Sequence, residues 1–255
     1  MTALITGGSS GMGFHYASQL AARGCDVVIV SNREEELQAA ARKIRGEYGV
    51  TVVTRFQDLG GWDAADSLYA FCKEQGLQVD ILVLNAGFFF FKELKASDCD
   101  LASSMIGLHV NTNARLCLLF GEDMKKAGKG NIIIMSSMAA AIPAPGITVY
   151  SASKAFLKSF GKSLYYEMRP YGVGVTTVLP AAIATPLYKL SQKLLDLGVK
   201  TGVIRTPQSL VRRALKGMDK GRKTVKPGFM NVFLPGLISI LPDGLIARLW
   251  KKWKR

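Results

Sequence analysis

Three side chains near the middle of the chain are suited to moving a proton to or from an oxygen atom. Tyr150 and Lys154, in the segment Tyr-Ser-Ala-Ser-Lys, stand four residues apart, so on a helix they share one face. Ser137 closes the short apolar run 132–135 and its following serine, thirteen residues before Tyr150. A phenol with an ordinary pKa of about 10 is a weak acid at neutral pH. An ammonium one turn away favours the phenolate and lowers that pKa. Tyr150 can then give a proton to a carbonyl oxygen, or take one from a hydroxyl. Ser137, at a strand end, can hydrogen-bond the same oxygen and hold it in place. Alone, Tyr-x3-Lys is also an ordinary solvated helix face; the motifs around it give it meaning.

The first apolar run ends in Thr-Gly-Gly-Ser-Ser-Gly-Met-Gly, residues 6–13. Gly7, Gly11 and Gly13, with Ser9, Ser10 and Met12 between them, form a G-x3-G-x-G turn. Glycine tolerates positive φ, and its missing Cβ lets a diphosphate approach the backbone. The helix that follows offers free N–H groups and the positive end of its dipole. The same loop is also compatible with a plain tight turn, but its place between first strand and first helix favours dinucleotide binding. Choice of dinucleotide is read after the second strand, where an acid would bond the ribose 2′-OH of NAD. Here Ser31, Asn32 and Arg33 stand there, with no acid before Glu34. A hydroxyl, an amide and a guanidinium suit a 2′-phosphate, so NADP(H) is the expected cofactor, unless Arg33 merely begins a solvated helix. Asp58 and Leu59 follow the third strand, where a carboxylate can accept from the adenine amino group. Asn85, Ala86 and Gly87 end the fourth, where small residues leave room for the adenosine ribose. Ligands of open α/β sheets bind at such strand ends.

These residues need a frame that brings strand ends together. Short runs rich in Val, Ile and Leu at 3–6, 27–30, 51–54, 81–84, 132–135 and 173–178 read as parallel strands buried on both faces. Stretches with helical spacing separate them, at roughly 12–23, 34–48, 62–75, 98–127 and 148–169. The alternation predicts an α/β fold, a doubly wound parallel sheet of Rossmann type. The expected division is a single catalytic domain at 1–228 and a basic amphipathic extension at 229–255. Beyond Pro186, helices are expected near 187–197 and 207–218, followed by the basic run 220–226.

Cys25, Cys72, Cys99 and Cys117 are widely spaced and form no CxxC pair, so neither a disulfide framework nor a zinc site is expected. The two histidines, His15 and His109, are read as neither metal ligands nor catalytic bases. The net charge of +14 is uneven: residues 189–255 hold 16 Lys+Arg against 3 Asp+Glu, a net of +13. That points to an anionic partner for the C-terminal part. No recognition motif accompanies the charge, so nucleic acid is not the expected partner. Residues 229–250 are apolar but interrupted by Pro235, Pro242, Asp243 and Arg248, which argues against a membrane span. Their last part reads as an amphipathic helix: Leu245, Ile246, Leu249, Trp250 and Trp253 on one side, Arg248, Lys251, Lys252 and Lys254 on the other. Such a helix suits an anionic membrane surface or packs on its own domain. The N-terminus shows no secretory pattern. The expected location is therefore cytoplasmic, either free or peripheral on the cytoplasmic face of a membrane.

In this order, the glycine loop, Asp58, Asn-Ala-Gly at 85–87, Asn111, Ser137, and Tyr150 with Lys154 resemble the short-chain dehydrogenase/reductase family over nearly the whole chain. The resemblance implies a catalytic tetrad of Asn111, Ser137, Tyr150 and Lys154. It implies that Lys154 also bonds the nicotinamide ribose and that Asn111 helps hold a proton-relaying water. It further implies nicotinamide contacts from the segment 179–185, through Pro180, Ile183 and Thr185, although Ala181 replaces the usual glycine. Relatives often form homodimers or homotetramers through the helices at 98–127 and 148–169. The tail is similar to a branch that includes steroid dehydrogenases and reductases of long-chain 3-keto lipids such as 3-ketosphinganine. The expected activity is interconversion of a lipophilic ketone and its secondary alcohol. A soluble enzyme for a small polar alcohol and a non-catalytic NADP(H) sensor are the alternatives. The four consecutive phenylalanines at 88–91 suit either core packing or an apolar entrance.

Overall fold

The structure, a computed structural model, describes residues 1–141, 144–180 and 206–227, together with 244, 245, 248, 250 and 251. The expected helix near 187–197, Ile183, Thr185 and most of the 229–255 tail lie outside the described residues.

Seven parallel strands form one sheet: β1 Thr2–Thr6, β2 Asp26–Ser31, β3 Val52–Phe56, β4 Val79–Leu84, β5 Gly130–Met135, β6 Val173–Val178 and β7 Thr224–Val225, in the order β3-β2-β1-β4-β5-β6-β7. Alternate residues of each strand face opposite sides. Ala3, Ile5, Val27, Ile29, Val83 and Ile133 pack with helices α1 (Gly11–Ala21), α2 (Glu34–Tyr48) and α7 (Pro207–Asp219). Leu4, Val28, Val30, Leu82, Leu84, Ile132 and Ile134 pack with α3 (Ala64–Glu74), α5 (Asn113–Ala127) and α6 (Thr148–Met168). Both faces are covered by helices, which is why the strands read as continuous apolar runs. Each fully buried Leu or Ile contributes roughly 1.5–3 kcal/mol of transfer free energy.

The predicted doubly wound architecture is the observed one. β7 was not expected. It is two residues long and lies within the basic run 220–226, where no apolar period announces it.

The stretch expected as one helix over 98–127 is divided. α4 (Cys99–Ile106) runs into a π-helical turn, Gly107–Thr112, before α5. The cause is local. Gly107 lies against the backbone of Gly60, where a Cβ would sit 2.2 Å from the carbonyl oxygen. Thr112 donates its hydroxyl to Leu59 O at 2.8 Å, and the Asn113 amide donates to His109 O at 3.1 Å. A π turn changes the helical phase, and such turns recur at functional sites.

Among the described residues, no helix is long and apolar enough to cross a membrane.

Candidate active site

The strand order reverses between β1 and β4, so the loops leaving their carboxyl ends diverge and open a crevice. A cleft of about 580 Å³ lies there. Three backbone devices build its floor. Gly7 and Gly11 adopt φ of +66° and +54°, which other residues reach only at a cost. Gly13 sits so close to the preceding turn that a Cβ would fall 1.9 Å from Gly7 O. Thr6 and Asn85 fasten the loop to β4: the Thr6 hydroxyl accepts the Asn85 and Ala86 amides at 3.0 Å each, and the Asn85 side chain donates to Thr6 O at 3.1 Å. Thr6 was not singled out in the sequence; its signal was only its place ahead of the first glycine.

The N-terminus of α1 points its amides into this cleft with no side-chain cap and no acid in its first turn. Its positive end is therefore available to an anion. Ser9 and Ser31 share a hydrogen bond at 2.9 Å, which ties the glycine loop to the end of β2. Ser31 Oγ also accepts the Arg33 amide at 3.1 Å. The Arg33 guanidinium meets Glu36 at 2.9 Å, with the Arg33 side chain 66% exposed. An exposed pair of this kind is worth about 0–1 kcal/mol, so it yields readily to a bidentate phosphate. Asp58 accepts the Gly60 amide through Oδ1 at 2.9 Å and lies on the cleft wall with Leu59. A cradle that a Cβ would fill and an uncapped helix end beside a guanidinium fit the diphosphate and ribose of a nicotinamide dinucleotide.

The chemical end of the cleft is set by β5 and α6. The Ser136 hydroxyl donates to Lys154 O at 2.7 Å, and Lys154 Nζ donates to Met135 O at 3.0 Å. The end of β5 and the second turn of α6 are thus stapled together. Ser137 Oγ accepts the Ala139 amide at 3.1 Å and lines the cleft. Tyr150 and Lys154 are buried, with Nζ 5.7 Å from the Tyr150 ring centre. Burial pushes the Lys154 ammonium down to about 8, so it is charged at neutral pH and loses its proton above that value.

Among the described residues, every predicted site residue other than Gly13 and Asn111 lines this cleft, Pro180 included; Ile183 and Thr185 lie outside the described residues. Gly13 lies behind the loop it supports. Asn111 stands apart from Ser137, Tyr150 and Lys154: its amide donates to Trp62 O at 2.9 Å, and it is not among the residues lining the cleft. From that helical turn it is Leu108 and His109 that reach the cleft. His109 is fully buried, with its ring 5.9 Å from that of Tyr150. Burial first, then the Lys154 charge, hold its pKa well below the usual imidazole value. Of the four phenylalanines, Phe88 and Phe89 line the cleft, and Phe89 meets Tyr150 edge-on at 5.0 Å. Phe91 is 45% exposed and meets Trp250 of the tail at 6.3 Å. Phe88 also packs against the hydrophobic core, so the aromatic run spans core and cleft wall. Among the described residues, no group of His, Cys, Asp and Glu could hold a metal ion.

A family model described as short chain dehydrogenase matches residues 1–194. The chain is 31% identical over 257 residues to a very-long-chain 3-oxoacyl-CoA reductase of Anas platyrhynchos, covering 98% of this chain and 78% of that protein. It is 31% identical over 229 residues to 17-beta-hydroxysteroid dehydrogenase type 3 of Danio rerio, covering 87% and 71%. A solved short-chain dehydrogenase from Sphingobium yanoikuyae in complex with NADPH superposes with a TM-score of 0.79 at 28% identity, over 95% of this chain and 96% of that one. The motifs, the sheet and these matches agree: the chain belongs to the short-chain dehydrogenase/reductase family of oxidoreductases.

Proposed function

We propose that the chain is an NADPH-dependent reductase of a lipophilic ketone, a long-chain 3-keto lipid foremost. The observation that carries this reading is one continuous cleft with Arg33 and the glycine loop on one part of its wall. Ser137, Tyr150, Lys154, Phe88 and Phe89 line another. When bound, the nicotinamide supplies a hydride to the carbonyl carbon. Ser137 donates a hydrogen bond to the carbonyl oxygen, and Tyr150 gives it a proton as negative charge develops there. Lys154 holds the phenolate that remains. Phe88 and Phe89 offer an apolar lining to the carbon chain.

The names of the relatives support the substrate class: one is a 3-oxoacyl-CoA reductase, another a hydroxysteroid dehydrogenase. Among 3-keto lipids they favour a 3-oxoacyl thioester over 3-ketosphinganine. A steroid ketone is the second reading, favoured by the Danio rerio relative. The basic tail suits docking at an anionic membrane surface on the cytoplasmic side. Leu118 on α5 and Phe156 on α6 give a second copy apolar surface to bind.

The test is NADPH consumption by the full chain in mixed micelles, offered a long-chain 3-oxoacyl thioester, 3-ketosphinganine or a steroid ketone. Fastest turnover of the thioester is expected. Turnover of the steroid alone would replace the leading reading with the second. Turnover only of small polar ketones would remove both.

The cofactor half has its own test. Arg33→Ala is expected to weaken NADPH binding roughly tenfold to a hundredfold and NADH binding less than about threefold, since a charge-assisted bidentate contact is lost only for the phosphate. Fluorescence titration of both nucleotides reads this. Equal losses would mean that Arg33 does not meet the 2′-phosphate.

A further inference from the structure

Among the described residues, His109 is the one buried titratable side chain on the cleft wall to which the reaction above gives no task. Its hydrogen bonds define its tautomer. Ser153 Oγ donates its proton to Tyr150 O at 2.8 Å. A hydroxyl has a single proton, so at its 2.9 Å contact with His109 Nδ1 it accepts. Nδ1 therefore carries the imidazole hydrogen, and Nε2 presents a lone pair. That Nε2 is fully buried and has no hydrogen-bond partner among the described residues, a costly state for an acceptor unless the site uses it.

Nε2 looks toward Lys154. A Cβ placed on Gly87 would lie 2.8 Å from His109 Nε2 and 3.6 Å from Lys154 Nζ, so the two nitrogens flank the same point beside the Gly87 backbone. Only glycine leaves that approach open. Lys154 spends one N–H on Met135 O, which leaves two for the cofactor ribose and for Nε2. The titratable groups facing the imidazole are Lys154 and Tyr150, both on α6. Burial first, then the Lys154 charge, keep the ring neutral, and a neutral acceptor is what a buried ammonium needs to stay charged.

We propose that His109 is a positioning residue for Lys154: its Nε2 accepts a hydrogen bond from the ammonium, directly or through one water, and holds it charged and aimed at Tyr150. The inference rests on the proposed reductase reading for its kinetic arm but not for its spectroscopic one.

The spectroscopic arm uses the full chain without substrate. Imidazole nitrogen NMR is expected to show His109 as the neutral Nδ1–H tautomer from pH 6 to 10. Its Nε2 resonance is expected to move as Lys154 titrates, and to stop moving in Lys154→Met. An Nε2–H tautomer, or an Nε2 resonance indifferent to Lys154, would overturn the proposal whether or not any ketone is turned over. The kinetic arm uses a 3-oxoacyl thioester. His109→Leu, an apolar residue of similar size, is expected to lower kcat about tenfold and to move the basic limb of the pH profile down by about one unit, with the NADPH KM changed less than about threefold. His109→Gln, which restores an acceptor, is expected to recover the limb and most of kcat. If the histidine only fills space, the order reverses: Leu is tolerated and Gln is damaging. That result would sink the idea.

Discussion

Tyr150→Phe is expected to lower kcat at least about a hundredfold while leaving the Kd for NADPH within about threefold. A positioned general acid contributes on the order of 10²–10⁴ to rate, and the substitution removes only the oxygen that bears the proton. The ring itself is retained where it packs, edge-on to Phe89 at 5.0 Å and to His109 at 5.9 Å. Phenylalanine keeps both contacts, so folding and the cleft wall survive. Lys154 retains its anchor on Met135 O and its place on the cleft wall. Single-turnover hydride transfer and a fluorescence titration of NADPH, done on the same preparation, separate the two effects. Full activity would show that the substrate oxygen takes its proton from elsewhere. A parallel loss of NADPH affinity would show that Tyr150 acts in binding, not in proton transfer.

The sheet was legible because parallel strands buried on both faces must be apolar at every position. Runs such as Ile132, Ile133 and Ile134 carry that statement directly: 132 and 134 face one helical layer, 133 the other. The cofactor loop was legible because a close backbone approach demands glycine. What the sequence hid was phase. Asn111 and His109 are two residues apart, nearly opposite on a helix. Met105, Leu108, Thr112, Leu116 and Phe120 recur three or four apart and are all buried. His109 falls on that inward face, whereas Asn111 falls off it and bonds Trp62 O. The inward period places the histidine, whereas the order of the motifs carries information only about the asparagine. Two further features depend on tertiary contacts that no local pattern records. The π turn is set by Gly107 against Gly60, and Thr6 bridges to β4. Arg33 is legible as a candidate cation; its pairing with Glu36 at 2.9 Å depends on side-chain rotamers that the sequence does not specify. That pair sets what a phosphate must displace.

Gly13→Ala is expected to raise the Kd for NADPH at least about fiftyfold and to lower the melting temperature by several degrees. The new methyl would fall 1.9 Å from Gly7 O and 2.6 Å from Gly7 C, both backbone atoms, and 2.7 Å from the Asn85 amide nitrogen. No rotamer relieves a Cβ, so the glycine loop or α1 has to move. The loop is not at liberty to do so: Asn85 and Thr6 pin it to β4 through contacts of 3.0–3.1 Å. Forcing one methyl into such a contact costs about 1–3 kcal/mol, which in a chain of this size is roughly 2–4 °C per kcal/mol. Affinity suffers more than stability because the α1 amides bind a diphosphate only from one position relative to the Gly7 turn. Gly24→Ala is the control. Its φ of +80° is also left-handed, but nothing lies within 4 Å of the added carbon. That variant should show the backbone cost of about 1–2 kcal/mol with unchanged NADPH affinity. Calorimetric melting and nucleotide titration of the pair check this. If Gly13→Ala binds NADPH as the native chain does, the close packing of α1 on the loop is not what shapes the site.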